Sequence, residues 1–151
     1  MSYVDENLLA GERVSFRTTL HWNIYVVPVL LSLVVFAPLT WLAFESQRPV
    51  VAAAPVAAIV IALLSAFLRR RSSEFAVTNK RVIMKLGVFQ TRSVELLLPK
   101  VEGVGVNQGL MGKMLGYGEI VVTGSGGTRE QFSDIDKPLE FRRALQTATS
   151  A

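Results

Sequence analysis

Apolar positions along the chain follow two different rhythms. From Ile24 to Phe44, "IYVVPVLLSLVVFAPLTWLAF", 21 consecutive positions carry no charge. After "ESQRP" (Glu45–Pro49), another 19 uncharged positions run from Val50 to Leu68. At about 1.5 Å rise per residue these runs reach roughly 31 and 28 Å, close to the thickness of a bilayer's hydrocarbon core. The pattern predicts a transmembrane helical hairpin over 24–68. Two buried helices of a soluble core are the competing reading, but uncharged runs this long are hard to cover with so little protein. A cleaved signal peptide fits poorly, since Asp5, Glu6 and Glu12 precede the first run and a second run follows at once.

Beyond Arg71 the rhythm changes to short β-type segments divided by turn residues. Glu74–Thr78, Arg81–Leu86 and Val88–Leu98 read as three strands, with Asn79-Lys80 and Gly87 at the turns. Phe89 is one of the apolar positions of the third. Val101, Val104 and Val106 suggest a fourth strand, bent by Gly103 and Gly105. Gly118–Thr123 and Thr128–Ile135 follow, joined by Gly124–Gly127. Upstream, Arg13–Leu20 also has strand composition and raises the expected total to seven. The period then shifts to helical. Pro138 suits a first turn, Asp136 is a candidate cap, and Phe141, Ala144, Leu145 and Ala148 share one face.

Charge sharpens this division. The formal net charge of the chain is +4, and Arg69–Arg71 alone contribute three positive charges. A nucleic-acid binder would spread basic residues over one face of the folded domain, so no nucleic-acid partner is expected. Arg13 and Arg17 precede the first span, and Arg69, Arg70, Arg71, Lys80 and Arg81 follow the second. Only Arg48, beside Glu45, lies at the hairpin tip. The positive-inside rule then puts both termini in the cytoplasm. Trp22 and Tyr25 at one interface and Trp41 near the other are the expected aromatic anchors. Ala54, Ala58, Ala62 and Ala66 form a small-residue stripe for close helix packing, against either the first span or a second copy. Pro38 lies deep enough to disturb its helix. Neither span contains an ionisable residue, which argues against ion or proton transport.

The order of elements, seven short strands and then a helix, is that of the pleckstrin-homology (PH) architecture. Three stretches, "FAVTNKRVIMKLGVF", "PKVEGVGVNQGLMGKMLGYGEIVV" and "DKPLEFRRAL", resemble the bacterial PH-domain membrane proteins, the YdbS-like family. "LLAGERVSFRTTLHW" ahead of a helix pair matches the same layout. The resemblance implies a membrane-anchored, mainly β protein. Its parts would be an N-terminal segment (1–23) that lends a strand, a hairpin anchor (24–68), and a seven-stranded PH-like barrel with a C-terminal capping helix (69–151). The implied location is a bacterial plasma membrane, multi-pass. No activity comes with the resemblance.

Candidate chemistry is sparse. With no cysteine and one histidine, thiol chemistry, zinc–thiolate sites and His clusters are excluded. "NQGLMGKM" (Asn107–Met114) fails the phosphate-loop pattern at its first and last positions. It reads instead as a glycine-rich turn seating Leu110, Met111 and Leu115 on the barrel. Gly124–Gly127 lead into a strand, so they make a turn and no phosphate cradle. Ser125, Ser133, Asp134 and Asp136 lack a histidine base, because His21 belongs at the membrane edge. The expectation is therefore no enzyme, no cofactor, no metal and no small-molecule substrate. What remains is a non-enzymatic interaction or scaffold module at the cytoplasmic face, with a protein partner or a second copy. The alternative is sensing of anionic membrane lipids by Arg69, Arg70, Arg71, Lys80, Arg81, Lys85 and Arg92. By analogy with PH domains that bind phosphoinositides, bacterial phosphatidylglycerol or cardiolipin would be the target.

Overall fold

The structure, a computed structural model, describes residues 3–45, 49–87 and 91–150, apart from the side chains of 43, 44, 49–52, 54 and 55. The chain divides into two compact units. One combines residues 1–21 with 71–151, and the other is the intervening 22–70.

Among the described residues the first unit holds seven strands: β1 (Val14–Thr18), β2 (Glu74–Thr78), β3 (Arg81–Leu86), β4 (Arg92–Leu97), β5 (Val101–Asn107), β6 (Tyr117–Gly124) and β7 (Arg129–Asp136). They form two antiparallel sheets, β1-β2-β3-β4 and β5-β6-β7, where one continuous barrel was expected. The break falls after β4, where Pro99 sits in a 3-10 turn (Leu98–Lys100) and removes a ladder donor. A single bridge, Leu20 to Ile135, connects the other end of the first sheet to β7. Of the strand expected over Val88–Leu98, Arg92–Leu97 is strand among the described residues. Phe89 and Arg48 lie outside the described residues.

Pairing sorts the side chains by face. Phe75 stands opposite Met84 and Val77 opposite Val82, and all four are fully buried between the sheets. Phe75 meets Phe132 of β7 edge-on, with ring centroids 5.5 Å apart. Helix α6 (Pro138–Ser150) closes one end, burying Phe141 and Leu145. The Phe141 ring stands edge-on to Phe16 of β1 at 6.4 Å. Lys137, not Asp136, opens this helix: its carbonyl accepts from the Glu140 and Phe141 N–H groups. The backbone of Asp136 is engaged instead by Thr19 and Thr18.

The opposite face of β2 and β3 is also covered, which the sequence did not predict. Ala76 and Ile83 pair across the strands and would face water. A four-residue helix, α1 (Tyr3–Glu6), lays Val4 over them, with Tyr3, Leu8 and Val14 at the margin. Glu74 accepts from the Val4 N–H at 3.1 Å, and Arg17 pairs with Asp5. The N-terminal segment is thus part of the domain through α1 as well as β1.

The second unit is helical. A 3-10 turn (Trp22–Tyr25) leads into α2 (Val26–Leu31), a π-helical stretch (Ser32–Phe36) and α3 (Ala37–Glu45). The disturbance expected at Pro38 takes the form of this π segment. Proline offers no N–H to the fourth residue back and its ring crowds that carbonyl, so the register widens just upstream. Helix α4 (Pro49–Arg71) has 23 residues. Among the described residues, one helical run is long and apolar enough to cross a membrane by length and composition: Trp22–Leu42, with mean hydropathy 2.1 and 6 % of its window buried. Of the two expected spans, only the first passes this test of length and composition among the described residues.

Candidate functional site

The most exposed apolar feature of the first unit is built by "GLMGKMLGYG". A short helix, α5 (Leu110–Leu115), occupies the stretch expected to be a turn. It begins after Gly109, whose carbonyl accepts from the Lys113 N–H at 2.9 Å. It ends at Gly116, which takes the left-handed conformation (φ 82°) and donates its N–H to the Gly112 carbonyl at 2.8 Å. The helix rests on β6 through Gly112. A Cβ at that position would come 2.6 Å from the Tyr117 carbonyl oxygen, so only glycine permits the approach. Gln108 locks the seat by donating to the Tyr117 carbonyl at 2.8 Å and the Gly112 carbonyl at 3.3 Å.

This seat determines where the large side chains go. At about 100° per residue, Leu110 and Met114 lie on the face opposite Gly112. They are 83 % and 81 % exposed, and Met111 is 65 % exposed. The expectation that Leu110, Met111 and Leu115 seat on the domain is corrected for the first two, which point outward while glycine makes the contact; Leu115, 44 % exposed, lies on the Gly112 side of the helix. One flank of α5 borders an open groove of about 600 Å³ whose lining includes Asn107, Tyr117, Glu119 and Asp134. Glu119 there accepts from Gln131, from Ser133 at 3.3 Å and from Asn107 at 3.5 Å. Lys113 and Lys137 line a second groove of about 650 Å³ on the other flank. Among the described residues no three acidic or histidine side chains are grouped to hold a metal ion.

The position of α5 in the domain matters. His21, the last residue of the unit before the apolar run, stacks on Tyr117 with ring centroids 5.1 Å apart. Its N–H donates to the Asp134 carbonyl at 2.7 Å. The strand ends at which the chain leaves and re-enters the sheet are direct neighbours, Thr18 opposite Phe75. The chain therefore departs from the same end of the domain that carries α5.

The basic residues expected at a lipid surface are placed as follows. Arg81 is engaged within the fold: its side chain is only 11 % exposed, because it forks onto Glu12, whose side chain has no exposure. Its Nε reaches Glu12 Oε1 at 3.0 Å and Nη2 reaches Oε2 at 3.1 Å. The same carboxylate accepts from the Thr78 hydroxyl at 2.7 Å and the Leu9 N–H at 2.8 Å. Arg81 also pairs with Glu95 across the strands. Burial raises the Glu12 pKa, but the bonds from Arg81, Leu9 and Thr78 outweigh it and hold the carboxyl below its ordinary value. Sequence reasoning missed Glu12; the signal was a lone carboxylate after Gly11, which itself takes φ 74°.

Lys85 lies 4.0 Å above the Tyr3 ring, Lys80 donates to the Ala10 carbonyl at 2.8 Å, and Arg92 pairs with Glu130. Arg69 and Arg71 are exposed and Arg70 is half-exposed. In the helical unit Trp22 is 48 % and Trp41 73 % exposed, with Tyr25 intermediate. Ala66 is buried, Ala58 and Ala62 are intermediate, and the side chain of Ala54 lies outside the described residues.

Among curated proteins none matches the chain. A family model described as the bacterial PH domain matches residues 14–149, from the first strand through the C-terminal helix. Two antiparallel sheets closed by a C-terminal helix, matched over nine-tenths of the sequence, make this chain a member of the bacterial PH domain family.

Proposed function

We propose that the protein is a non-enzymatic, membrane-anchored PH-like interaction module of the bacterial plasma membrane. The carrying observation is the place of the helical unit: it is inserted between β1 and β2, which are neighbours in one sheet. Thr18 before the insert pairs with Phe75 after it. Both ends of the insert must then lie on the same side of any bilayer, so the number of crossings is even. One crossing by Trp22–Leu42 requires a return, and α4 is the segment that follows. At 23 residues it reaches about 35 Å, long enough for that return. Arg69–Arg71 at its end support a cytoplasmic domain and cytoplasmic termini.

With location fixed by the anchor, targeting by the β-domain is redundant, and its free surface serves a protein partner or a second copy. Lipid sensing by the basic hairpins is the weaker reading, because Arg81 is committed to the fold through Glu12. The test is site-directed photo-cross-linking on the full-length protein in native membranes. A photoreactive residue at exposed Gln131 or Arg129 is expected to yield a specific partner or a homo-oligomer ladder. A monomer with no enriched adduct at any exposed strand position contradicts the module.

A further inference from the structure

We propose that α5 is a lipid-inserting foot: Leu110, Met111 and Met114 enter the interfacial layer of the bilayer and Lys113 meets the headgroups beside them. The inference rests on the membrane-anchored reading and adds a second attachment, one that fixes which way the domain is turned.

Three observations carry it. The first is the exposure of large apolar side chains on a helix that has no use for them internally, since Gly112 makes the contact with β6. The second is the chain's short tether. Only Thr19, Leu20 and His21 separate β1 from the segment that begins at Trp22, and only Ser72 and Ser73 separate α4 from β2. Three extended residues reach about 10 Å at most, so the end of the domain where the chain departs is held against the surface. That end carries α5, because His21 stacks on Tyr117, two residues past Leu115. The third is charge: exposed Lys113 lies on the helix itself and suits anionic headgroups next to an apolar tip, whereas Lys137 beside it is paired with Glu140 at 4.0 Å. A protein partner would need to fit between this end and the bilayer, within the reach of that tether.

The chain has no native cysteine, so single labels are unambiguous. An environment-sensitive fluorophore is attached to full-length Met114→Cys in vesicles of phosphatidylethanolamine and phosphatidylglycerol, with or without nitroxide-bearing lipid. Val34→Cys in the apolar run reports anchorage, and Ser125→Cys in the β6–β7 turn reports the aqueous side. The label at position 114 is expected to shift its emission to the blue and to lose most of it to the nitroxide lipid, as position 34 does, while position 125 does neither. Leu110→Cys, also highly exposed, repeats the readout independently. Quenching at 34 without quenching at 110 and 114 overturns the foot and leaves the anchor standing. A blue shift at 114 without lipid quenching overturns it in favour of a protein neighbour. No quenching at 34 overturns the anchored reading and the foot together.

Discussion

Replacing Arg81 by methionine is expected to destabilise the β-domain by about 3 kcal/mol or more, the usual cost of stripping a buried charge of its partner. Glu12 has no exposed side-chain surface, and Arg81 supplies two of the four donors that hold its carboxylate. The pH response is the sharper signature. In the native protein the Glu12 carboxyl sits below its ordinary value, because the donors overcome the effect of burial. Its stabilisation is therefore present above the unfolded-state pKa and is lost as pH falls through the lower, folded-state value. Without Arg81 only the Leu9 N–H and the Thr78 hydroxyl are left to oppose burial, so the carboxyl moves up from its native position and the loss of stability on acidification shrinks. Adding Glu12→Gln to Arg81→Met should recover part of the loss at neutral pH, since a neutral amide is cheaper to bury than a lone carboxylate. Thermal melts of the full-length protein in detergent, followed by its β-sheet signal from neutral to acid pH, check all three. Equal stability of Arg81→Met and the native protein would remove the clamp from the account.

Phe75→Ala should cost about 3–5 kcal/mol, the range for deleting a fully buried ring. Phe75 is one contact through which the four-stranded sheet meets the three-stranded one, by way of Phe132. It also stands opposite Thr18, where the two ends of the helical insert are held together. Phe75→Leu, which keeps most of the volume, should lose less than about 1.5 kcal/mol. Urea titration of the same β-sheet signal separates the two variants. If alanine and leucine behave alike, the volume of the ring is not what the packing between the sheets depends on.

Much of the fold is legible in particular stretches of sequence. "EFAVT" and "RVIMKL" show their hairpin through composition and the Asn79-Lys80 turn, and Phe141, Ala144 and Leu145 give the last helix its face. The division into two sheets was not legible, because it depends on where the ladder stops at Pro99 and not on any strand's own pattern. Helix α1 is only four residues long, too short for a periodicity to register, and its evidence is tertiary: Val4 over Ala76 and Ile83. The candidate site was misread for a related reason. Gly112 looks like a turn residue in sequence, whereas its missing side chain is the contact that holds α5 down. Once glycine makes that contact, Leu110 and Met114 are forced outward, the reverse of what apolar residues suggest on their own. The ion pair of Arg81 was not legible either, because a basic residue near an apolar run reads as a membrane contact until Glu12, 69 positions earlier in the chain, is seen beneath it.

On the proposed topology the helical insert leaves the β-domain and returns to it on the same, cytoplasmic side of the membrane. Single cysteines at Asn7, Gln47 and Ser125, in a chain that has none of its own, put it to one measurement: labelling by a membrane-impermeant maleimide in intact and permeabilised bacterial cells. Position 47, between the two helices, is expected to label in cells whose inner membrane is intact, while positions 7 and 125 label only after permeabilisation. Labelling of 7 and 125 from opposite sides, or of 47 from the same side as both, would contradict it.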